Sequence, residues 1–298
     1  MTYSIVARDA ETGRLGVAVQ SHWFSVGSVV TWAEAGVGAV ATQSFAEPSY
    51  GPLGLDLMRR GRGAPEALET LVRADADRDV RQVAFVDAEG RVGVHTGSGC
   101  IREFGHTSGD GFSVQANMME RATVWDAMAE AYASADGDLP ARLIAALTAA
   151  QGEGGDVRGT QSAALLVVEA APSGREWSDR VIDLRVEDHP APVDELDRVL
   201  RLWRAYEHAE RAEELELEDD LTGALGERLA ALELRPDHPE LAFWAAIAMA
   251  QAGRLDEARR TIATSHAARP GWATLLRRMI DDGQVELGDE AIEALLDG

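Results

Sequence analysis

Lysine is absent from this chain of 298 residues: all 28 basic residues are arginine. Against 51 acidic residues they leave a formal net charge of −23, a balance that repels nucleic acid and anionic membrane surfaces alike. A P-loop, whose lysine reaches the phosphates, is excluded. Cysteine occurs once, as Cys100, so neither an intrachain disulfide nor a cysteine-rich zinc site can form. No apolar run approaches the roughly 20 residues that a membrane helix needs. The first residues lack the basic-then-apolar layout of a signal peptide, so a reducing cytoplasm is the expected setting. What is present, 46% hydrophobic and 27% charged, is the composition of a folded globular protein.

Strand patterning dominates the first half. Short runs rich in Val, Ala and Gly at 2–8, 15–20, 28–34 and 36–43 predict buried strands. Helical spacing follows at 51–60 and 64–74, and strands resume at 81–87, 91–96 and 111–117. Helices are expected at 119–133 and 139–151, and two last strands at 161–169 and 180–186. Strands and helices thus come in blocks, which favours an α+β layered domain over strict βαβ alternation. After His189-Pro190-Ala191-Pro192 the chain turns helical throughout. Pro236 and Pro270 lie 34 positions apart, the tetratricopeptide period, and the same offset pairs Leu221 with Leu255, Ala224 with Ala258 and Arg235 with Arg269. The expected division is a layered domain over 1–192 and a helical tail with tetratricopeptide-like repeats over 193–298. Two or three repeats are few for independent stability, so the tail is expected to lean on the first domain or on another subunit, and it could serve a protein partner or self-association.

Most motif-like stretches fail on context. Gly36-Val37-Gly38-Ala39-Val40-Ala41 has dinucleotide-fingerprint spacing but lies within a strand-like run. Gly97-Ser98-Gly99 has the wrong spacing for a nucleophile elbow. The seven histidines contain no i, i+4 pair, so neither a metal nor another cofactor is expected. Cys100, following Gly-Ser-Gly with no partner to activate it, reads as a small packed residue. The start of the chain is different. Thr2 follows the initiator methionine, and a small second residue is what methionine removal requires. As the first residue of a mature chain, Thr2 would carry a hydroxyl nucleophile and a free α-amine of reference pKa about 7.7–8.0 to take its proton.

Several stretches together carry a resemblance: the opening Thr2-Tyr3-Ser4-Ile5-Val6-Ala7-Arg8-Asp9, the run Gly36 to Gln43, Tyr50-Gly51-Pro52, the run Gly154 to Ala164 with its Gly-Gly-Asp-Val-Arg-Gly start, and Ile182 to Pro190. Over about residues 1 to 195 they resemble the domain-of-unknown-function family 1028, grouped with the N-terminal-nucleophile hydrolases. The resemblance implies a four-layer αββα sandwich and a nucleophile at the first residue of the first strand, here Thr2. It names no substrate. The lysine that assists in proteasome-type members has no counterpart, so the α-amine alone or an arginine would have to serve.

In such a sandwich the site gathers polar residues from strand ends and loops. Ser21 and His22 end the second strand, Gln43 another and Asn117 a third; an amide there could donate to a developing oxyanion. Asp156 and Arg158 in the Gly-rich loop, with Gln161 where the next strand begins, complete the expected substrate-binding set; the pair either staples the loop, the simpler role, or leaves Arg158 to receive a carboxylate of the substrate. The function expected first is hydrolysis of an amide bond in a small molecule. The alternative is a non-catalytic binding or scaffold protein working through its helical tail.

Overall fold

Residues 2–175 and 177–296 are described by a computed structural model of the chain. The first strand, β1 (Thr2–Arg8), is followed by the Asp9–Gly13 turn, where the Asp9 carboxylate accepts from Thr12 N–H at 2.7 Å and from its hydroxyl at 2.7 Å. That turn reverses the chain into β2 (Leu15–Ser21). β3 (Thr31–Glu34), β4 (Gly38–Ser44), β5 (Arg81–Asp87) and β6 (Val92–Thr96) form a four-stranded antiparallel sheet in that order. β7 (Gly105–Gly109), β8 (Phe112–Asn117), β9 (Ser162–Val168) and β10 (Arg180–Val186) join the first two strands in a six-stranded antiparallel sheet of order β10-β9-β2-β1-β8-β7.

The period of two along β1 sorts its side chains between two layers. Ala7 pairs with Gly16, where a Cβ would lie 2.7 Å from Leu143 and 3.1 Å from Leu139. Tyr3, Ile5 and Ala7 therefore face the helices α4 (Val124–Ser134) and α5 (Leu139–Gly152). Thr2, Ser4 and Val6 face the second sheet, where Val6 joins Val17, Val19, Ala39, Ala41, Ala84 and Val86 in an apolar core. On the outer face of the four-stranded sheet, Val40, Val83 and Phe85 pack beneath α2 (Tyr50–Arg59) and α3 (Ala64–Ala74). The result is four layers, helix–sheet–sheet–helix.

Two glycines let α2 lie close to its sheet. A Cβ on Gly51 would fall 2.3 Å from the Trp32 ring and one on Gly54 2.4 Å from the Phe85 ring. The Gly54→Ala variant is expected to lose about 1–3 kcal/mol through overpacking, measured as a lowered urea midpoint. An unchanged midpoint would mean that the helix rides higher on the sheet.

Three elements depart from the pattern of the sequence. The strand expected from residue 28 begins only at Thr31, because Gly27–Val30 forms a helical turn, α1. A Cβ on Gly27 would meet that of Ala164 at 2.4 Å, and Thr31 Oγ1 donates to the Gly27 carbonyl at 2.8 Å, so close packing on β9 selects the turn. The helix expected from residue 119 starts at Val124, since Met119 bridges to Asp156 and Glu120 N–H donates to Gly155 O at 2.8 Å. β7, Gly-His-Thr-Ser-Gly, has no apolar alternation to reveal it; it is a half-exposed edge strand.

The chain divides into two compact units, residues 1–198 and 199–298. Helix α6 (Pro192–Leu217) is followed by α7 (Leu221–Leu234), α8 (Pro239–Gln251), α9 (Leu255–Ala268), α10 (Gly271–Asp281) and α11 (Asp289–Leu296). The 34-residue offset superposes α7 on α9: Leu221 and Leu255 open these helices, Ala224 and Ala258 are buried, and Arg235 and Arg269 cap their C-termini. Phe243, Ala246, Ile247, Ala258, Ile262, Leu276 and Leu295 share the core of this helical unit. Among the described residues no helix is long and apolar enough to cross a membrane.

Candidate functional site

Antiparallel pairing brings the start of β1 beside the ends of β2 and β8, and one row of the six-stranded sheet is polar from end to end: Ser162 pairs with Ser21, Ser21 with Thr2, and Thr2 with Asn117. All four are buried. Thr2 Oγ1 donates to Ser21 Oγ at 3.1 Å. Ser162 Oγ donates to the Trp23 carbonyl at 2.5 Å and accepts from Val26 N–H at 3.0 Å, which fixes the loop after β2.

Facing this row across the sandwich, Gln43 and Gln82 are paired on β4 and β5. Gln43 Nε2 donates to Gln82 Oε1 at 2.7 Å and to the Thr2 carbonyl at 3.2 Å. Asn117 Nδ2 donates to the same two acceptors, at 2.9 and 3.3 Å. Gln82 Nε2 in turn donates to Ala116 O at 2.9 Å, Gly105 O at 3.1 Å and Thr96 Oγ1 at 3.2 Å. Ser4 Oγ donates to Gln43 Oε1 at 2.6 Å and accepts from Gln115 Nε2 at 2.5 Å. A buried network of this kind holds its members in one arrangement, because any broken bond strands a desolvated polar group. Here it fixes the backbone of Thr2, a residue of the cavity lining.

That cavity has a volume of about 550 Å³, within the range of about 300–1,000 Å³ typical of small-molecule sites. Thr2, Ser21, Gln43, Ser44 and Asn117 supply its polar lining; Val26, Val29, Val30, Ile101 and Met118 supply much of the apolar wall. Ser44 (φ 71°) and Met118 (φ 59°) both line it, at the ends of β4 and β8, in the left-handed region that non-glycine residues seldom occupy. Such conformations concentrate where the surrounding structure holds a site in place. A second groove, of about 800 Å³, lies by β3 and β10. The charges along it are neutralised by their own neighbours, as in Arg59 with Glu34 and Arg185 with Asp183, and it lacks both the polar network and the strained rim.

Of the residues expected from the sequence, Thr2, Ser21, Gln43, Asn117 and Arg158 meet at this cavity, whereas His22, Asp156 and Gln161 are not in its lining. Asp156 is fully buried: it accepts from the N–H groups of His22 (3.2 Å) and Arg158 (2.9 Å) and grips the Arg158 guanidinium at 3.1 and 3.3 Å. Gln161 Nε2 bridges to Asp188 at 3.1 Å, tying the loop to the segment after β10. Asn117, expected as an oxyanion donor, has its amide engaged by the Thr2 carbonyl and Gln82, so its geometry is that of a residue positioning Thr2. Met1, on whose removal a nucleophilic Thr2 depends, lies outside the described residues.

Arg81 was not signalled by the sequence. It opens β5 opposite Ser44, lines the cavity, and donates to the Phe45 carbonyl at 2.7 Å and to Asp75 at 2.9 Å. Burial alone would raise the Asp75 pKa, but Arg81, the Asp77 N–H and the Tyr50 hydroxyl together hold it below the ordinary carboxylate range. Cys100 is buried, donates to Arg81 O at 3.5 Å and has its thiol pKa pushed up by burial, the signature of a packed residue. His106, bonded to Thr96 Oγ1, is held below the ordinary imidazole value first by burial and then by His95. Among the described residues no group of three or more His, Cys, Asp or Glu is arranged to hold a metal ion.

The relationships of the chain follow the same division. The family described as a family of unknown function, DUF1028, matches residues 2–196, and the tetratricopeptide repeat matches residues 218–279, a repeat type that points to protein–protein interaction. A crystal structure of a DUF1028 protein from Silicibacter pomeroyi is similar at 31% identity with a TM-score of 0.60, covering 67% of this chain and 88% of that one. No curated protein matches the chain. With its whole layered unit accounted for in this way, the chain belongs to the DUF1028 family, and it carries a tetratricopeptide-like region behind it.

Proposed function

We propose that the layered unit hydrolyses an amide bond in a small molecule, with Thr2 as nucleophile once Met1 has been removed. The observation that carries this reading is the setting of Thr2: a residue of the cavity lining, its hydroxyl aligned by Ser21 and its carbonyl gripped by both Gln43 and Asn117. The layer order supports it too, being similar to that of the N-terminal-nucleophile hydrolases. In the proposed reaction the α-amine takes the Oγ1 proton and Oγ1 bonds to the amide carbon. A backbone N–H at the rim that is not engaged in the sheets stabilises the oxyanion. The C–N bond then breaks, the departing amine leaves with that proton, and water cleaves the resulting ester to regenerate Thr2. The side-chain amides nearby hold the nucleophile in place.

Intact mass and N-terminal sequencing of the protein, followed by a screen of small amides, test this. A chain beginning at Thr2 that turns over at least one amide is the expected result. A chain that retains Met1, or shows no turnover across the screen, sinks it and favours a second reading, a binding protein. That reading is supported by the tetratricopeptide-like region, through which we propose capture of a protein partner or of a second copy of the chain.

A further inference from the structure

We propose that the cavity at Thr2 selects a small amide carrying one carboxylate and one apolar arm, the carboxylate being received by Arg158. The amide linkage in this ligand rests on the hydrolase reading above; recognition of the anion and of the apolar arm does not.

Charge is the first argument. In a chain of net charge −23, the ionisable side chains lining this cavity among the described residues are two arginines, Arg81 and Arg158, and no carboxylate is among them. Each is ion-paired with a carboxylate outside the lining, so what they offer a guest is N–H donors rather than a net positive field, and no lining carboxylate repels an anionic one. Orientation is the second. The Asp156 carboxylate lies fully buried behind Arg158, satisfied by four donors, while the Arg158 side chain whose guanidinium it grips is 36% exposed. A carboxylate so placed acts as a buried orienter for an arginine that faces a ligand. The loop bearing the pair is fixed in turn by the Met119–Asp156 bridge, and by Gly154 (φ 100°), Gly155 (φ 58°) and Gly159 (φ 95°) in backbone conformations that a side chain would oppose. Arg81 plays another part, since it is 13% exposed and committed to Asp75 and the Phe45 carbonyl, and so positions the opposite rim.

The third argument is the rim itself. Trp23, Phe45 and Ile101 all line the cavity yet are 61%, 57% and 45% exposed. Large apolar side chains grouped around one opening mark a place where apolar surface is to be covered. Their reach, with Val26, Val29 and Val30 inside, suits an aromatic or short aliphatic arm.

The test is binding, read by quenching of tryptophan fluorescence on the full-length Thr2→Ala variant, so that turnover does not enter. The probes are N-benzoylglycine and N-hexanoylglycine, each against its neutral glycinamide counterpart. The carboxylates are expected to bind about tenfold more tightly than the amides, the scale of one charge-assisted pair. The double variant Arg158→Gln/Asp156→Asn removes both charges without stranding either, and is expected to abolish the preference while still binding the arms. Equal binding of acid and amide in both pairs, no binding of any probe at millimolar concentration, or a preference that survives in the double variant would each overturn the proposal. A preference that depends on Arg158, in a protein that leaves these amides uncleaved, would uphold the site and count against the hydrolase reading alone.

Discussion

Replacing Gln82 by Leu is expected to cost the layered unit about 3–5 kcal/mol. The side chain is fully buried between the sheets. Its oxygen accepts from Gln43 and Asn117, and its nitrogen donates to the Ala116 and Gly105 carbonyls and to Thr96 Oγ1. Leucine would fill the space and satisfy none of these five, leaving several polar groups desolvated with fewer partners. Because the chain has two units, a single unfolding curve need not be two-state. Hydrogen exchange of the β1, β5 and β8 amides, measured beside the urea midpoint, assigns the loss to the sandwich. The double variant Gln43→Leu/Gln82→Leu should lose less than the sum of the two single variants, since each has already removed a partner of the other. A loss below about 1 kcal/mol for Gln82→Leu would show that water can replace the amide, and the network would then be no constraint on Thr2.

How much of this was legible beforehand follows from what each residue needs in order to be recognised. β1, β2, β5 and β10 stand out because short runs such as Leu15-Gly16-Val17-Ala18-Val19 are bounded by polar turns. The helical repeat stands out because period does not depend on packing. Ser21, Gln43 and Asn117 were reached by asking which polar residues end strands, and antiparallel pairing does carry those ends to Thr2. The same rule would have found Arg81, which begins the strand paired with the end of β4. Gln82 carries a weaker signal: a polar residue at a position where the alternation demands burial. Nothing local shows that Gln43, Gln82 and Asn117 meet, since they come from two different sheets. Trp23 and Ile101 come from loops, whose course is decided by tertiary packing. The helical turn at Gly27 was hidden for the same reason, because the contact that selects it is with Ala164, far along the chain.

Thr2→Ala is expected to lower kcat/KM for any amide the protein cleaves by at least about a thousandfold, with no substantial shift in Tm. The removed hydroxyl makes one hydrogen bond, to Ser21, whereas the contacts that hold the residue run through its carbonyl to Gln43 and Asn117 and survive the change. Thr2→Ser, which keeps a hydroxyl in place, should retain measurable turnover. Loss of fold in Thr2→Ala would make the residue structural, and undiminished turnover would remove it from the chemistry. The absence of lysine permits a sharper separation of the two functions assigned to this residue. In a chain without lysine the α-amine is the sole primary amine, so acetylation with an amine-selective reagent can add one acetyl group there and nowhere else among the amines. An α-amine acting as base loses that role once acylated, and turnover should fall by about a hundredfold or more while Thr2 Oγ1 is left intact. Intact mass reports the single acetyl, and the rate measured on the same sample reports its consequence. Full activity in singly acetylated protein would leave Thr2 without its base and would place proton transfer on another group.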